Sequence, residues 1–369
     1  MKKIVIISTK PASLTSGTEV RNYHLLRGLR RFFDVEMIIP TLSDPPSLLI
    51  RIKDLLMGNV PYIERVRDSH FSPSEWAKIK NADIIQVQEL EALLALEKKL
   101  PELSQPIILD AHNVEVHRFL SGIETESFLI KWVGRILAIK IKKLEIDLIK
   151  KVTTILTCSQ VDKNYFANYF PAKNIIVVPN GIDYNYFSSI PVGKKNTILF
   201  MGLLSYGPNN DGLRYYFNEI HSLVKEKIID VQITIIGKNP PAWLTKKAEF
   251  DSSINVKGFV KDIRDDIGQA KVCICPLRYG SGTRLKVLEY MASGKPVVST
   301  SKGAEGINLV DGVNILYADE PKIFAEKIIR ALTDSNFAKT IGGNGRKIVE
   351  KNYSWDKITK ELSTVYNQL

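Results

Sequence analysis

Short, uninterrupted apolar runs alternate with longer amphipathic stretches along most of the chain. The first run spans residues 3–9; the stretch that follows, 18–33, carries Tyr23, Leu26, Leu29 and Phe33 near helical spacing. Further strands are expected at 35–40, 83–87, 107–111, 152–158 and 175–178. Runs of this kind suit a parallel sheet covered on both faces, and the intervals are long enough for crossover helices. Turn formers gather in 179–195, after which the alternation restarts, with strands expected at 197–201, 232–236, 255–260, 272–276, 296–299 and 314–317. The pattern predicts two doubly wound α/β domains in tandem, residues 1–185 and 186–352, and an amphipathic final segment, 353–369, placed to pack across both. Open sheets of this type take ligands beyond the carboxyl ends of their strands, so candidate chemistry is sought in the loops that follow strands.

Composition narrows the class. A chain of 369 residues is long for one domain and comfortable for two. With 44% apolar and 25% charged residues it reads as a globular protein, and no apolar run approaches the roughly 18 residues of a membrane span. Lys2 and Lys3 precede an apolar run as in a signal peptide, but that run is only Ile4 to Ile7 and no small-residue cleavage site follows; a buried first strand fits better. Three cysteines, Cys158, Cys273 and Cys275, form no disulfide framework and imply reduced thiols and a cytoplasmic setting. Cys273 and Cys275 alternate along a strand, so they face opposite ways and serve as small core residues. The net charge of +11 suits anionic partners. No helix-turn-helix, zinc-finger or RNP-type signature accompanies it and the basic residues are spread over both halves, so no nucleic-acid partner is expected.

The richest segment is 276–300, PLRYGSGTRLKVLEYMASGKPVVST, which reads as strand, glycine loop, helix and strand. Gly280 and Gly282, with Ser281 and Thr283, would bring backbone amides close to a phosphate at the positive end of the helix beginning near Thr283. Arg284 and Lys286 fall in that helix's first turn, where cations oppose the helix dipole; their placement suggests a bound anion. Glu289, one turn beyond Lys286, is placed to accept hydrogen bonds from sugar hydroxyls. The bland alternative is an ordinary turn with solvated charges, since the glycine spacing matches neither the dinucleotide nor the Walker pattern.

The stretch from Leu288-Glu289 to Gly294 and Pro296-Val297-Val298 resembles the donor-binding helix of glycosyltransferase family 4. The resemblance extends, in the family's order, to Asp110-Ala-His112-Asn113-Val-Glu115, Cys158-Ser159, Val178-Pro-Asn-Gly-Ile-Asp183, Gly202, Gly258-Phe259-Val260 and Tyr353-Ser-Trp355. It implies the GT-B fold, two Rossmann-like domains facing a central cleft, and transfer of a sugar from a UDP- or GDP-sugar with retention of anomeric configuration. No bound cofactor or metal is implied, the nucleotide sugar being a co-substrate. Two departures stand out. Ser281 replaces a common acidic residue eight positions before Glu289, and the usual Arg and Lys after Gly202 are missing from Gly202–Asp211. The basic pair is therefore expected to have shifted to Arg284 and Lys286, which would neutralise the departing diphosphate.

By the same resemblance His112 contacts the donor sugar, in a positioning role rather than as a base. Gly17 and Thr18 lie beside the donor phosphates, with a plain helix N-cap at Thr18 as the alternative. Gly202 adjoins the phosphates, Gly258, Phe259 and Val260 hold the base through backbone groups, and Glu305 closes over the donor. Arg21 and Asn113 are assigned to the acceptor, a carbohydrate or lipid-linked carbohydrate of the cell envelope, with a merely solvated Arg21 as the alternative. The segment 128–151 is expected to be a long helix with Ile130, Val133, Leu137, Ile141, Leu144 and Leu148 as its core stripe and a solvated basic face. The sharper alternative sets that face, with Trp132 and segment 48–67, on an anionic inner membrane leaflet. Three rival functions remain open: a GT-B-shaped epimerase, which would act on the nucleotide sugar without an acceptor, a non-catalytic subunit, and a basic protein that binds nucleic acid.

Overall fold

The structure, a computed structural model, describes residues 1–14, 17–43, 61–124, 127–188, 190, 196–280 and 282–369. The chain divides into two compact units, Met1–Asn180 with Trp355–Leu369, and Gly181–Ser354. Each holds a six-stranded sheet in which all pairings are parallel.

In the first unit β1 (Lys3–Ile7), β2 (Asp34–Ile38), β3 (Ile84–Gln88), β4 (Ile107–Ala111), β5 (Thr154–Thr157) and β6 (Asn174–Val177) lie in the order β2-β1-β3-β4-β5-β6. Strands β3, β4 and β5 are buried at every position, so that Gln86, Gln88 and Asp110 lie inside among the apolar residues. One sheet face is covered partly by helix Gly17–Leu29 and the last helix, Trp355–Gln368; Trp355, Ile358, Leu362 and Tyr366 join Ile4, Ile6, Leu25 and Leu29 in one core. A side chain at Gly28 would come within 2.4 Å of Thr359 Cγ2, so glycine is what lets these two helices approach. The last helix, expected to span both domains, thus belongs to the first unit.

In the second unit β7 (Thr197–Met201), β8 (Gln232–Ile236), β9 (Ile254–Gly258), β10 (Val272–Cys275), β11 (Val297–Ser299) and β12 (Leu316–Tyr317) lie in the order β12-β11-β10-β7-β8-β9. The β9 run ends two residues short of expectation because Gly258 turns left-handed, φ 65°, and the next residue, Phe259, emerges exposed. Cys158, Cys273 and Cys275 are free and buried.

Helix Phe128–Ile149 departs from the expected core stripe. Its buried line runs through Gly134, Ala138, Glu145 and Leu148, with Ile141 and Leu144 packed beside it, whereas Ile130 and Val133 are exposed. Small residues bring this helix against its neighbour: a Cβ at Gly134 would lie 2.4 Å from Ile123 Cδ1. Phe128, Trp132, Ile136 and Ile139 are also exposed, so its first two-thirds present apolar side chains outward among lysines. Of segment 48–67, residues 48–60 lie outside the described residues; Pro61–Arg67 is a helix. Among the described residues no helix is long and apolar enough to cross a membrane.

Candidate functional site

Sheet order identifies where each unit should bind. A ligand crevice forms where neighbouring strands send their following connections to opposite sides. In the second unit that point lies between β7 and β10, and the loops following those strands carry the residues singled out by sequence.

The loop after β10 needs its glycines. Gly280 and Gly282 have φ of 115° and 78°, and a Cβ at Gly280 would meet Arg284 Nη2 at 2.8 Å. Ser281 between them lies outside the described residues. Arg284 is the N-cap of helix Leu285–Ala292; it is buried, and its Nη1 donates to Gly282 O. Lys286 points back to the loop after β7. Its Nζ donates to Asn209 Oδ1 at 2.7 Å and lies 4.2 Å from the centre of the Phe200 ring. Asn209 in turn donates to Leu203 O at 2.8 Å. A Cβ at Gly202 would fall 2.8 Å from Lys286 Nζ and 2.7 Å from Asn209 Nδ2, so glycine there leaves room for the ammonium. Lys286 thus delivers positive charge to the very loop where the family's usual basic pair is missing.

That ammonium is poorly compensated. Burial, with the neighbouring Arg284 charge, pulls its pKa down to about 8. Glu289, three residues further along the helix, is pushed up by burial to about 7, against the opposing pull of Lys286. The other expected donor-site residues follow neighbouring strands. Gly258 accepts from Gly237 N at 2.7 Å, Phe259 is exposed under Lys238 Nζ, and Val260 packs on the core. Glu305 follows β11 and accepts from Lys302 at 2.6 Å. Its loop fits because Gly303 has no side chain; a Cβ there would come within 2.2 Å of Cys275 O. Thr283 is half-buried in the turn before the helix.

The first unit's switch point lies between β1 and β3, and there His112 and Thr18 meet two residues that the sequence did not single out, Glu89 and Lys10. Glu89, the residue after β3, is buried and holds φ 64°. Its Oε1 accepts from Thr18 Oγ1 at 3.1 Å and its Oε2 from Lys10 Nζ at 3.2 Å. Thr18 therefore spends its hydroxyl on Glu89 rather than on capping its own helix; Gly17 beside it is exposed. His112, after β4, is buried with Nε2 2.8 Å from Gln88 Oε1 and Nδ1 3.5 Å from Glu89 Oε1. Asn113 is half-buried beside it.

Arg21 requires a correction. Expected at the acceptor, it is fully buried and paired within its own unit. Its Nε and Nη2 donate to the two Asp110 oxygens at 3.0 and 2.8 Å, and its remaining contacts are with the Val178 and Pro179 carbonyls and Asn180 Oδ1. Its position in the second turn of helix Gly17–Leu29 turns it into the sheet end, where Asp110 is the complement. Beneath Asp110, Gln86 Nε2 approaches at 3.4 Å and Tyr366 donates to Gln86 Oε1 at 2.5 Å. A buried carboxylate on a different helix, Glu145, accepts from Glu115 N at 2.8 Å and so caps the helix Glu115–Gly122 that follows His112.

Known proteins fit this picture. A family model described as Glycosyltransferase Family 4 matches residues 15–186, and one described as Glycosyl transferases group 1 matches residues 195–334. An uncharacterized glycosyltransferase of Methanocaldococcus jannaschii is 34% identical over 94% of this chain and 93% of its own. An uncharacterized 44.6 kDa protein in the cps region of Klebsiella pneumoniae is 27% identical over 69% of this chain and 67% of its own. Among solved structures, HepE of Anabaena in complex with UDP and glucose superposes with a TM-score of 0.68 at 14% identity, covering 100% of both chains. Near-full-length identity of this order, two matching family models and two six-stranded parallel sheets together place the chain in glycosyltransferase family 4, with the GT-B fold.

Proposed function

We propose that the enzyme transfers a sugar from a UDP- or GDP-sugar to a hydroxyl of an envelope polysaccharide or lipid-linked acceptor, with retention of configuration and without a metal. The observation that carries this reading is the Lys286 ammonium, desolvated against Phe200 and Asn209 beside Gly202, at the positive end of a helix. A cation so placed is unfavourable until an anion joins it. A diphosphate supplies that anion, and preorganised charge of this kind lowers the barrier as the leaving group gains charge. Arg284 shares the diphosphate, Glu289 accepts from sugar hydroxyls, Gly258 to Val260 hold the base, and Glu305 contacts the donor. On the first unit His112 positions the donor and Asn113 meets the acceptor. A relative in a cps region and a structural neighbour bound to UDP and glucose support the choice of pathway and donor.

The exposed apolar residues of helix Phe128–Ile149, set among Lys131, Arg135, Lys140 and Lys143, suit contact with an anionic leaflet. The acceptor would then be met at the inner face of the cytoplasmic membrane.

A thermal-shift panel of nucleotide sugars, followed by mass spectrometry of products with candidate acceptors, tests the reading. A UDP- or GDP-sugar should raise Tm, and product should form equally with and without a chelator. Epimerisation of the donor in the absence of acceptor, or unchanged turnover after replacing both Arg284 and Lys286 with Ala, would overturn it. Co-sedimentation with anionic but not neutral vesicles at low salt is expected, and its absence would remove the membrane from the proposal.

A further inference from the structure

Glu89 is unusual in three independent ways. Among the described residues only Glu89 and Asn239 combine a side chain with positive φ. Such strain persists only where the surroundings enforce it, and it gathers at functional sites. Glu89 also stands at the switch point between β1 and β3, where an open sheet binds its ligands. Lastly, its buried carboxylate gathers groups from three separate segments: Lys10 beyond β1, Thr18 in the following helix, and His112 beyond β4.

The imidazole is held from both sides. Nε2 faces Gln88 Oε1 at 2.8 Å and Nδ1 faces Glu89 Oε1 at 3.5 Å, both acceptors, an arrangement that a doubly protonated ring satisfies. Two carboxylates lie near it: Asp110, 3.8 Å from Nε2 and bound through both oxygens to Arg21, and Glu89, nearer at 3.5 Å from Nδ1 and also accepting from Thr18 and Lys10. Glu89 is the carboxylate that faces Nδ1, with Lys10 as its competing cation. Glu115 and Arg118 are further charged groups coupled to Glu89, and Arg118 pairs with Glu115 and approaches Glu91.

We propose that Glu89 is a positioning residue for His112: its left-handed backbone delivers a fixed carboxylate to Nδ1, which keeps the ring oriented and doubly protonated. The direction of titration agrees. Burial alone would lower the His112 pKa, yet Asp110 and Glu89 raise it above the ordinary histidine value. An imidazolium cannot accept a proton, so His112 acts as a fixed cation and hydrogen-bond donor rather than as a base. Only the consequence for turnover rests on the function proposed above; the coupling of the two side chains does not.

Histidine-selective NMR titration of the full-length protein tests it, with the His112 resonance assigned by its loss in His112→Asn. In Glu89→Gln, which keeps size and shape, the His112 midpoint should fall by about one pH unit or more. In Lys10→Met, whose side chain is largely at the surface, the midpoint should rise, because the competing cation is gone. A wild-type midpoint in folded Glu89→Gln overturns the proposal; should that variant fail to fold, a midpoint in Lys10→Met that does not rise overturns it instead. Glu89→Gln should also lower kcat roughly tenfold with little change in donor KM. A lowered midpoint with unchanged turnover would uphold the coupling and refute the role of His112 in transfer.

Discussion

The two switch points of this enzyme handle charge in opposite ways. At the first sheet's switch point the buried ions are paired: Arg21 with Asp110, Glu89 with Lys10 and His112. Burial there penalises each group, but the partners overcome it, and Asp110 and Glu89 stay well below the usual carboxylate range. At the end of the second sheet burial wins. Lys286 falls to about 8 and Glu289 climbs to about 7, each shifted towards its neutral form. The first site is finished without a ligand. The second keeps a desolvated cation and carboxyl side by side, and under the function proposed above an anion would complete it.

The largest effect should come from breaking the completed site. Arg21→Met strands Asp110 in the core, and loss of one member of a buried pair costs about 3–5 kcal/mol. Chemical denaturation should show that loss, and Arg21→Met with Asp110→Asn should recover part of it. If the single variant is as stable as the parent, the contrast between the two sites collapses.

The second site should respond the other way. Lys286→Met removes a desolvated cation and places an apolar chain on Phe200, so stability should hold or rise while turnover drops by about 10²–10³. The pH dependence follows from the sign of the shift. The folded Lys286 binds its proton less tightly than the unfolded chain, so this residue makes stability rise with pH from about 8 up to the ordinary lysine range. Donor affinity should run oppositely, weakening above about pH 8 as the ammonium is lost, and Lys286→Met should abolish both slopes. Calorimetry of donor binding from pH 7 to 10 reads them directly; an affinity flat across that range would mean that Lys286 does not hold the diphosphate.

What the sequence revealed divides along similar lines. All twelve strands were legible because a parallel sheet buried on both faces needs short unbroken apolar runs. Lys286 was legible too, since glycines, a helix start and ill-placed cations lie within a few residues of one another. Of the cluster around Glu89 only Thr18 and His112 were singled out. Lys10, Thr18, Glu89 and His112 come together only through strand order, and no local pattern announces that a glutamate will adopt φ 64°. Arg21 misled for a related reason: an arginine on an amphipathic helix looks solvated unless its carboxylate, 89 residues away, is known to lie beside it. In helix Phe128–Ile149 the apolar stripe outweighed the small residues, yet Gly134 and Ala138 permit the close contact and take the buried face.

The smallest prediction asks how far the completed site extends. Tyr366, on the last helix, donates to Gln86, and Gln86 reaches Asp110, so this helix supports the carboxylate that pairs with Arg21 and lies 3.8 Å from His112 Nε2. Tyr366→Phe keeps the ring in its core and removes only the hydroxyl. Gln86 Oε1 then loses a buried donor, at a cost of about 1 kcal/mol, well below that of Arg21→Met. Because Arg21 still binds both Asp110 oxygens, the His112 midpoint should stay where it is. A moved midpoint would place Tyr366 within the charge network; an unmoved one together with the small loss confines its role to holding the last helix on the sheet, and makes Arg21 the boundary of the first site.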